Sequence, residues 1–260
     1  MRGLAVTEGA AAAPTPADVR REPLRAVPPP EHLNGEPIDP REVSERLESL
    51  GADEVIAWAI ESFHPKLYFA CSFQKTTSVV IDIAQRIDPS TRFFYLDTDL
   101  LFEQTYTTRD ALAARFGIEF DRFHNIGVEE QARMYGDKLW ARQPDACCEI
   151  RKVEPMRDAL AGVDCWVSGI RREDSQTRVG AAKFGWDKRF GLWKLNPLAD
   201  WTDEEVWSYI NDNDVPYNPL HDAGYPSIGC THCTRPPGNG AAPRDGRWAN
   251  ADKTECGLNG

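Results

Sequence analysis

The alternation of apolar strands and amphipathic helices is the sequence feature that most constrains the fold. Short runs rich in aromatic and β-branched residues predict strands, and longer runs with apolar residues three and four apart predict helices. The predicted strands cover residues 67–71, 92–96, 119–123 and 164–169, and the predicted helices cover residues 76–87, 102–116, 148–160 and 203–211. This order predicts an α/β fold with a doubly wound, mostly parallel sheet.

Polar turns after these strands indicate where a ligand binds. Ser72 follows the first strand, Asp97 follows the second, and Arg171 and Arg172 follow the strand at 164–169. Ligands of open α/β sheets bind at the carboxyl ends of the strands, and the backbone N–H groups at a helix start attract anions. The sequence therefore predicts an anion pocket at this edge of the sheet.

Charge and apolar content exclude several classes of protein. The net charge of −11 argues against general affinity for nucleic acid. The sequence has no apolar run of 18 residues and no secretory signal at its start, so it predicts neither a membrane span nor secretion. Its seven cysteines follow no disulfide framework. Together these features predict a cytoplasmic, reducing setting.

Four of the cysteines form a split set, with an adjacent pair at Cys147 and Cys148 and a spaced pair at Cys230 and Cys233. Thiolates in this number are typical of iron–sulfur clusters and of zinc sites. Neighbouring side chains on a helix diverge by about 100°, so an adjacent pair reaches a cluster several ångströms across more easily than one zinc ion. The pattern favours an iron–sulfur cluster, and it leaves a zinc site, a redox dithiol or no metal as alternatives.

The remaining cysteines differ in their surroundings. Cys71 and Cys165 lie in apolar strands and are expected to be core residues. Cys256 lies in a polar, glycine-flanked tail where there is no core to fill, which favours a nucleophile on a flexible segment over an incidental surface thiol. We expect three regions: a disordered arm at 1–38, an α/β domain carrying the metal site at 39–245, and a mobile tail at 246–260.

Five ordered motifs carry a family resemblance. They read CCEIRK at 147–152, GIRR at 169–172, YPSIGCTHC at 225–233, GRW at 246–248 and KTECGL at 253–258. In this combination the chain resembles the assimilatory adenylylsulfate (APS) reductases, the iron–sulfur branch of the phosphoadenylylsulfate (PAPS) reductase family. The resemblance runs from about residue 55 to the end of the chain.

The resemblance implies a fold, a cofactor and a reaction. The fold would be like that of the adenine nucleotide alpha-hydrolases, and a [4Fe–4S] cluster would be bound by Cys147, Cys148, Cys230 and Cys233. Cys256 would attack the sulfur of APS and form an S-sulfocysteine, from which thioredoxin or a similar dithiol would release sulfite for cysteine biosynthesis. The resemblance leaves open whether the protein forms a homo-oligomer. The substrate contacts it implies are Ser72, Asp97, Lys152, Arg171, Arg172, Arg244 and Arg247.

Three positions depart from the family pattern. Asn259 stands where the family typically has histidine, Asp99 stands where it usually has glycine, and Lys75 is unusual in the first turn. We hypothesise that Lys75 compensates the charge of Asp99.

The sequence leaves three alternative functions. The first is a PAPS reductase. The second is an adenylyltransferase on the same sheet, which the absence of glycine from residues 72–75 disfavours. The third is a diverged iron–sulfur protein that is not a reductase.

Overall fold

A mixed six-stranded sheet forms the centre of the molecule. The computed structural model describes residues 27–238, 240–249 and 251–258. The sheet strands are β3 (Leu67–Cys71), β4 (Phe93–Leu96), β5 (Phe120–Phe123), β6 (Cys165–Val167), β7 (Phe184–Asp187) and β8 (Leu192–Leu195). Their order across the sheet is β5-β4-β3-β6-β8-β7, and every neighbouring pair is parallel except β7 and β8. The predicted α/β class and the mostly parallel sheet are confirmed.

The antiparallel strand β7 was not predicted. Its sequence, Phe-Gly-Trp-Asp, contains a glycine and lacks β-branched residues, so it carries a weak strand signal. It pairs with β8 through a tight turn in which Gly191 has a φ of +70°. This conformation suits glycine because it has no Cβ.

Helices cover both faces of the sheet. They are α1 (Pro40–Glu48), α2 (Ala52–Phe63), α3 (Lys75–Ile87), α4 (Glu103–Phe116), α5 (Val128–Tyr135), α6 (Leu139–Arg142), α7 (Pro144–Cys148), α8 (Glu154–Ala159) and α9 (Asp203–Asp212). The capping box predicted for α9 is present, because Thr202 N donates to Glu205 Oε2 at 2.7 Å and Glu205 N donates to Thr202 Oγ1 at 3.2 Å.

The helix that carries the adjacent cysteines begins earlier than predicted. We expected a helix at 148–160, but α7 starts at Pro144, where proline fits the first helical position. A π-helical turn, Glu149–Val153, then connects α7 to α8. The two cysteines therefore lie at the end of α7, immediately before the π-helical turn.

The core lies between the sheet and its helices. Phe69, Phe93 and Val79 are 1% exposed or less. Cys71 and Cys165 are buried in the same cluster, as predicted, and burial raises the pKa of both thiols. Both are therefore core residues.

Part of the predicted N-terminal arm has a defined structure. Residues 1–26 lie outside the described residues. Strands β1 (His32–Leu33) and β2 (Glu36–Pro37) form a short antiparallel hairpin, so the expectation of disorder up to residue 38 is wrong for this stretch. Leu33 packs against the core, and Val27 O accepts a hydrogen bond from Trp186 Nε1 at 2.8 Å.

Candidate active site

A large cavity opens at the carboxyl ends of β3, β4 and β6. Its empty volume is about 1350 Å³, including the space at its open mouth. Ser72, Leu96 and Ser168, each at or just after a strand end, line it together with residues 226–229 of the C-terminal region. The cavity lies at the sheet edge where the sequence predicted a ligand pocket.

Six of the described residues that line this cavity are cationic. They are Lys75, Lys152, Arg171, Arg178, Arg244 and Arg247. The Nε atoms of Arg171, Arg244 and Arg247 and the Nη1 atom of Arg171 are buried without a hydrogen-bond partner among the described residues. A buried donor without an acceptor is costly, so these N–H groups are suited to an anionic ligand.

The C-terminal loop holds two of these arginines. Arg247 Nη1 donates to Ser227 Oγ at 3.1 Å and to Ile228 O at 3.2 Å, and its guanidinium lies 4.5 Å from the Trp248 ring centroid. Burial, followed by the charge of Arg178, lowers the pKa of Arg244 to about 10. Arg244 is therefore still cationic at neutral pH.

The first turn of the sheet edge is tied to the same loop. Ser72 Oγ lies 2.9 Å from Thr77 Oγ1, and Gln74 Oε1 accepts from Ile228 N at 2.8 Å. His221 Nε2 accepts from Lys75 N, at the start of α3, at 3.1 Å. The backbone N–H of Lys75, one of the groups at the helix start that the sequence suggested for an anion, is therefore already hydrogen-bonded to a histidine.

Two predicted substrate contacts, Asp97 and Arg172, are not among the residues that line the cavity. Asp97 Oδ1 accepts from Tyr106 at 2.6 Å, and its Oδ2 accepts from Arg122 Nε at 2.7 Å. Burial would raise the pKa of Asp97, but these hydrogen bonds lower it. Arg172 pairs with Glu48 Oε2 at 2.6 Å. The structure places both side chains in supporting ion pairs.

Lys75 and Asp99 do not pair with each other, contrary to the hypothesis that the charge of Lys75 compensates that of Asp99. Lys75 Nζ pairs with Asp203 at 2.6 Å, whereas Asp99 pairs with His124 Nε2 at 2.7 Å and with Arg122 Nη2 at 3.3 Å. Asp99 has a φ of +53°, a left-handed conformation that glycine adopts easily and that aspartate tolerates better than most residues.

Cys256 reaches the cavity from the C-terminal tail and lines it together with Lys152, Arg244 and Arg247. Burial would raise the pKa of the Cys256 thiol, but the charge of Lys152, a hydrogen bond from the Leu258 backbone and the charge of Arg247 lower it below its ordinary value. A lowered pKa favours the thiolate, which is the nucleophilic form. Asn259 lies outside the described residues.

The four remaining predicted residues, Cys147, Cys148, Cys230 and Cys233, line one small cavity. No three His, Cys, Asp or Glu side chains in the described ranges are placed to hold a single metal ion. Lys152 lines both this cavity and the larger one. His232, between the second pair of cysteines, stacks on Trp140 with ring centroids 4.3 Å apart. The structure thus brings together the two cysteine pairs, which are separated by about 80 residues in sequence.

Sequence reasoning missed two residues of the site. His221 had no motif around it, and its role at the start of α3 depends on a contact across 146 residues. Glu255 belongs to the KTECGL motif, but the motif does not predict that its carboxylate binds Arg178 and Arg244. Its position directly before Cys256 was the available signal.

Comparison with known proteins places this site in a family. The chain matches the phosphoadenosine phosphosulfate reductase domain over residues 66–236. It belongs to this family. An adenosine 5′-phosphosulfate reductase of Halalkalibacterium halodurans is 43% identical over 223 residues, which make up 85% of this chain and 96% of that protein. A protein of the same name from Salinibacter ruber is 41% identical and covers 82% of this chain and 85% of its own length.

Solved structures show the same relationship for this member of the reductase family. The phosphate complex of the phosphoadenylyl-sulfate reductase of Candida auris has a TM-score of 0.68 at 34% identity, covering 75% of this chain and 95% of that one. The FMN adenylyltransferase of Candida glabrata has a TM-score of 0.53 at 15% identity, which shows a shared fold alone. Among the described residues, no helix has the length and apolar character to cross a membrane.

Proposed function

We propose that this chain is an adenylylsulfate reductase, an oxidoreductase that converts adenosine 5′-phosphosulfate (APS) to sulfite and AMP in sulfate assimilation. The placement of Cys256 carries the proposal, because its thiol shares one cavity with the unpartnered guanidinium donors of Arg244 and Arg247. A nucleophile and an anion site therefore face the same space. The APS reductases at 41–43% identity support the same reaction.

The reaction takes place in two steps. In the first step, the Cys256 thiolate attacks the sulfur of the sulfuryl group, and a bond forms between Sγ and that sulfur. The bond between that sulfur and the bridging oxygen of APS breaks, and AMP leaves with its electron pair. A dithiol of the thioredoxin class then attacks Sγ of the S-sulfocysteine. Sulfite leaves with the electron pair of the S–S bond, and the second thiol of the dithiol closes a disulfide and regenerates Cys256. The dithiol supplies both electrons.

The cationic residues of the cavity perform the electrostatic part of this chemistry. Lys152 lies next to Cys256 and stabilises its thiolate. The Nε atoms of Arg171, Arg244 and Arg247 donate to phosphate and sulfate oxygens as negative charge moves onto AMP. Ser72 lines the same cavity beside the start of α3 and is proposed as a further substrate contact. Asp97 and Arg172 are proposed to support, through their ion pairs with Arg122 and Glu48, the turns that follow β4 and β6.

The four-cysteine cavity fits an iron–sulfur cluster. Cys147, Cys148, Cys230 and Cys233 supply four thiols around one space, although no three of the described ligand-type residues are placed for a single ion. Thiolate donors in this number suit a [4Fe–4S] cluster. When bound, the cluster would fix the two cysteine segments and place a charge next to Lys152.

The redox setting of this proposal is a reducing one. All seven cysteines are free of disulfides, which agrees with the cytoplasmic location proposed from the sequence.

The alternative substrate is PAPS, which differs from APS by a 3′-phosphate. The likeness to the Candida auris enzyme, at 34% identity, favours this second candidate. Higher identity to APS reductases and the four cysteines favour APS. The ratio of kcat/KM for the two substrates decides between them.

Anaerobic purification and intact-mass measurement test the proposal. The wild-type protein should be brown and contain iron, and incubation with APS should add one sulfite-sized mass that maps to Cys256 and disappears on adding reduced thioredoxin. Cys256→Ser should keep the iron and gain no mass. A protein that contains iron but takes no adduct would overturn the reductase assignment, and a colourless protein containing zinc would overturn the cluster.

A further inference from the structure

The carboxylate next to the proposed nucleophile is bound by two arginines of the cavity. Glu255 Oε1 accepts from Arg178 Nε at 3.0 Å and from Thr177 Oγ1 at 3.2 Å. Its Oε2 accepts from Arg178 Nη2 at 3.1 Å and from Arg244 Nη2 at 3.0 Å. Each carboxylate oxygen therefore has two donors, and the pair with Arg178 is bidentate.

This arrangement differs from an ordinary surface ion pair. The side chains of Arg178, Arg244 and Glu255 are 11%, 13% and 13% exposed. Screening by water and salt is weaker for such partly buried charges, and a bidentate guanidinium–carboxylate pair has a defined geometry. Asp174 Oδ2 accepts from Arg178 Nη1 at 3.1 Å, which fixes the guanidinium from another side.

The tail depends on such side-chain contacts. Residues 251–258 contain neither a helix nor a strand in the described part of the tail. Arg244 Nη2 also donates to Thr254 O at 3.0 Å, and Lys253 pairs with Asp145. Glu255 makes the contacts that lie directly beside Cys256.

We propose that Glu255 is a positioning residue that holds the C-terminal tail closed, so that the adjacent Cys256 faces the cavity. The inference rests on the proposed function, in which Cys256 is the nucleophile. The carboxylate also occupies donors of Arg178 and Arg244, so it competes with an anionic substrate for these two cations. Its removal should loosen the tail and, at the same time, strengthen the attraction of the cavity for the substrate.

Amide hydrogen exchange of the tail in the cluster-containing protein tests the first part without substrate. In Glu255→Gln, the peptide covering residues 251–258 should exchange about tenfold faster than in the wild type, which corresponds to about 1.4 kcal/mol. Asp252→Asn removes an equal charge from an exposed carboxylate of the same tail and should leave exchange at the wild-type rate. Glu255→Asp, which keeps the charge, should restore part of the protection. Exchange in β3 and β4 verifies the fold.

Steady-state kinetics with APS and thioredoxin test the second part. Glu255→Gln should lower kcat about tenfold because the nucleophile is misplaced, and it should also lower KM because a competing anion is gone. A merely structural defect would lower activity without the fall in KM. Wild-type tail exchange in Glu255→Gln, or equally fast exchange in Asp252→Asn, would overturn the inference. If neither the wild type nor any variant reduces APS, but the tail of Glu255→Gln still exchanges faster than that of the wild type, the proposed function is overturned. The role of the Glu255 contacts in holding the tail would then still stand.

Discussion

Replacing Gly229 with alanine should displace Arg247 from the cavity. A Cβ atom built on Gly229 would lie 2.2 Å from Nη2, 2.6 Å from Cζ and 3.1 Å from Nε of Arg247. Non-bonded heavy atoms pack at about 3.5–4.0 Å, so the guanidinium must move by about 1 Å or more. The displacement breaks the hydrogen bonds of Nη1 to Ser227 Oγ and Ile228 O.

The size of the effect follows from the contact that is lost. A hydrogen bond that involves a charged group contributes about 1.5–3 kcal/mol, so the loss of one such bond to a substrate oxygen should raise Kd about 10- to 150-fold. Calorimetric titration with APS, in a Cys256→Ser background that prevents turnover, measures this value. Iron content is measured in parallel because Gly229 precedes Cys230.

A matched glycine and a double variant provide the controls. A Cβ atom at Gly180 meets nothing within 4 Å, so Gly180→Ala should bind APS with the unchanged Kd. Arg247→Ala combined with Gly229→Ala should be no weaker than Arg247→Ala alone, because both changes remove the same contact. An unchanged Kd in Gly229→Ala, or losses that add in the double variant, would refute the reasoning.

Three further predictions concern stability and iron. Burial, followed by the charge of Lys75, lowers the pKa of His221 from 6.5 to about 4. The unfolded chain therefore binds the extra proton first, and stability should fall as pH drops below 6.5. Between pH 7 and pH 5 the free energy of unfolding, measured by urea denaturation, should fall by about 2 kcal/mol in the wild type. This fall should be absent in His221→Gln, and an equal fall in both proteins would contradict the prediction. Lys75→Ala and Asp99→Gly should have additive effects on the free energy of unfolding, since Lys75 pairs with Asp203, and a coupling above about 0.5 kcal/mol would refute independence. Cys230→Ala should purify with less iron per chain than wild type, and full iron content would remove Cys230 from the ligands.

Periodicity and composition were sufficient for most of the fold. The strands and helices from β3 to β5 appear within two residues of their predicted ends because they have clear apolar patterns and polar turns. The start of α7 differs from the predicted one because Pro144 begins the helix, four residues before the expected start at Cys148. Strand β7 was missed because a short edge strand with glycine depends on pairing with β8 for its structure.

The composition of the site was predictable, but the partners of its charges were not. The family resemblance implied Lys152, Arg244 and Arg247 as substrate contacts, and all three line the cavity. Sequence cannot show that Asp97 is bound to Arg122, since that ion pair forms only when β4 and β5 lie side by side. The same limit applies to His221, which meets the start of α3 through the tertiary fold alone.

The π-helical turn Glu149–Val153 sets the direction of the side chains between Cys148 and α8. A π-helical turn, with hydrogen bonds between residues i and i+5, holds more residues than an α-helical turn, so removing one residue would let the chain close an ordinary α-helical turn and would change where the side chains of residues 149–153 point relative to Cys147 and Cys148. Lys152 could then no longer line both cavities. A single-residue deletion here, harmless in an exposed loop, would separate the cysteine site from the substrate site. Chain length at residues 149–153 is therefore as constrained as the identity of any ligand.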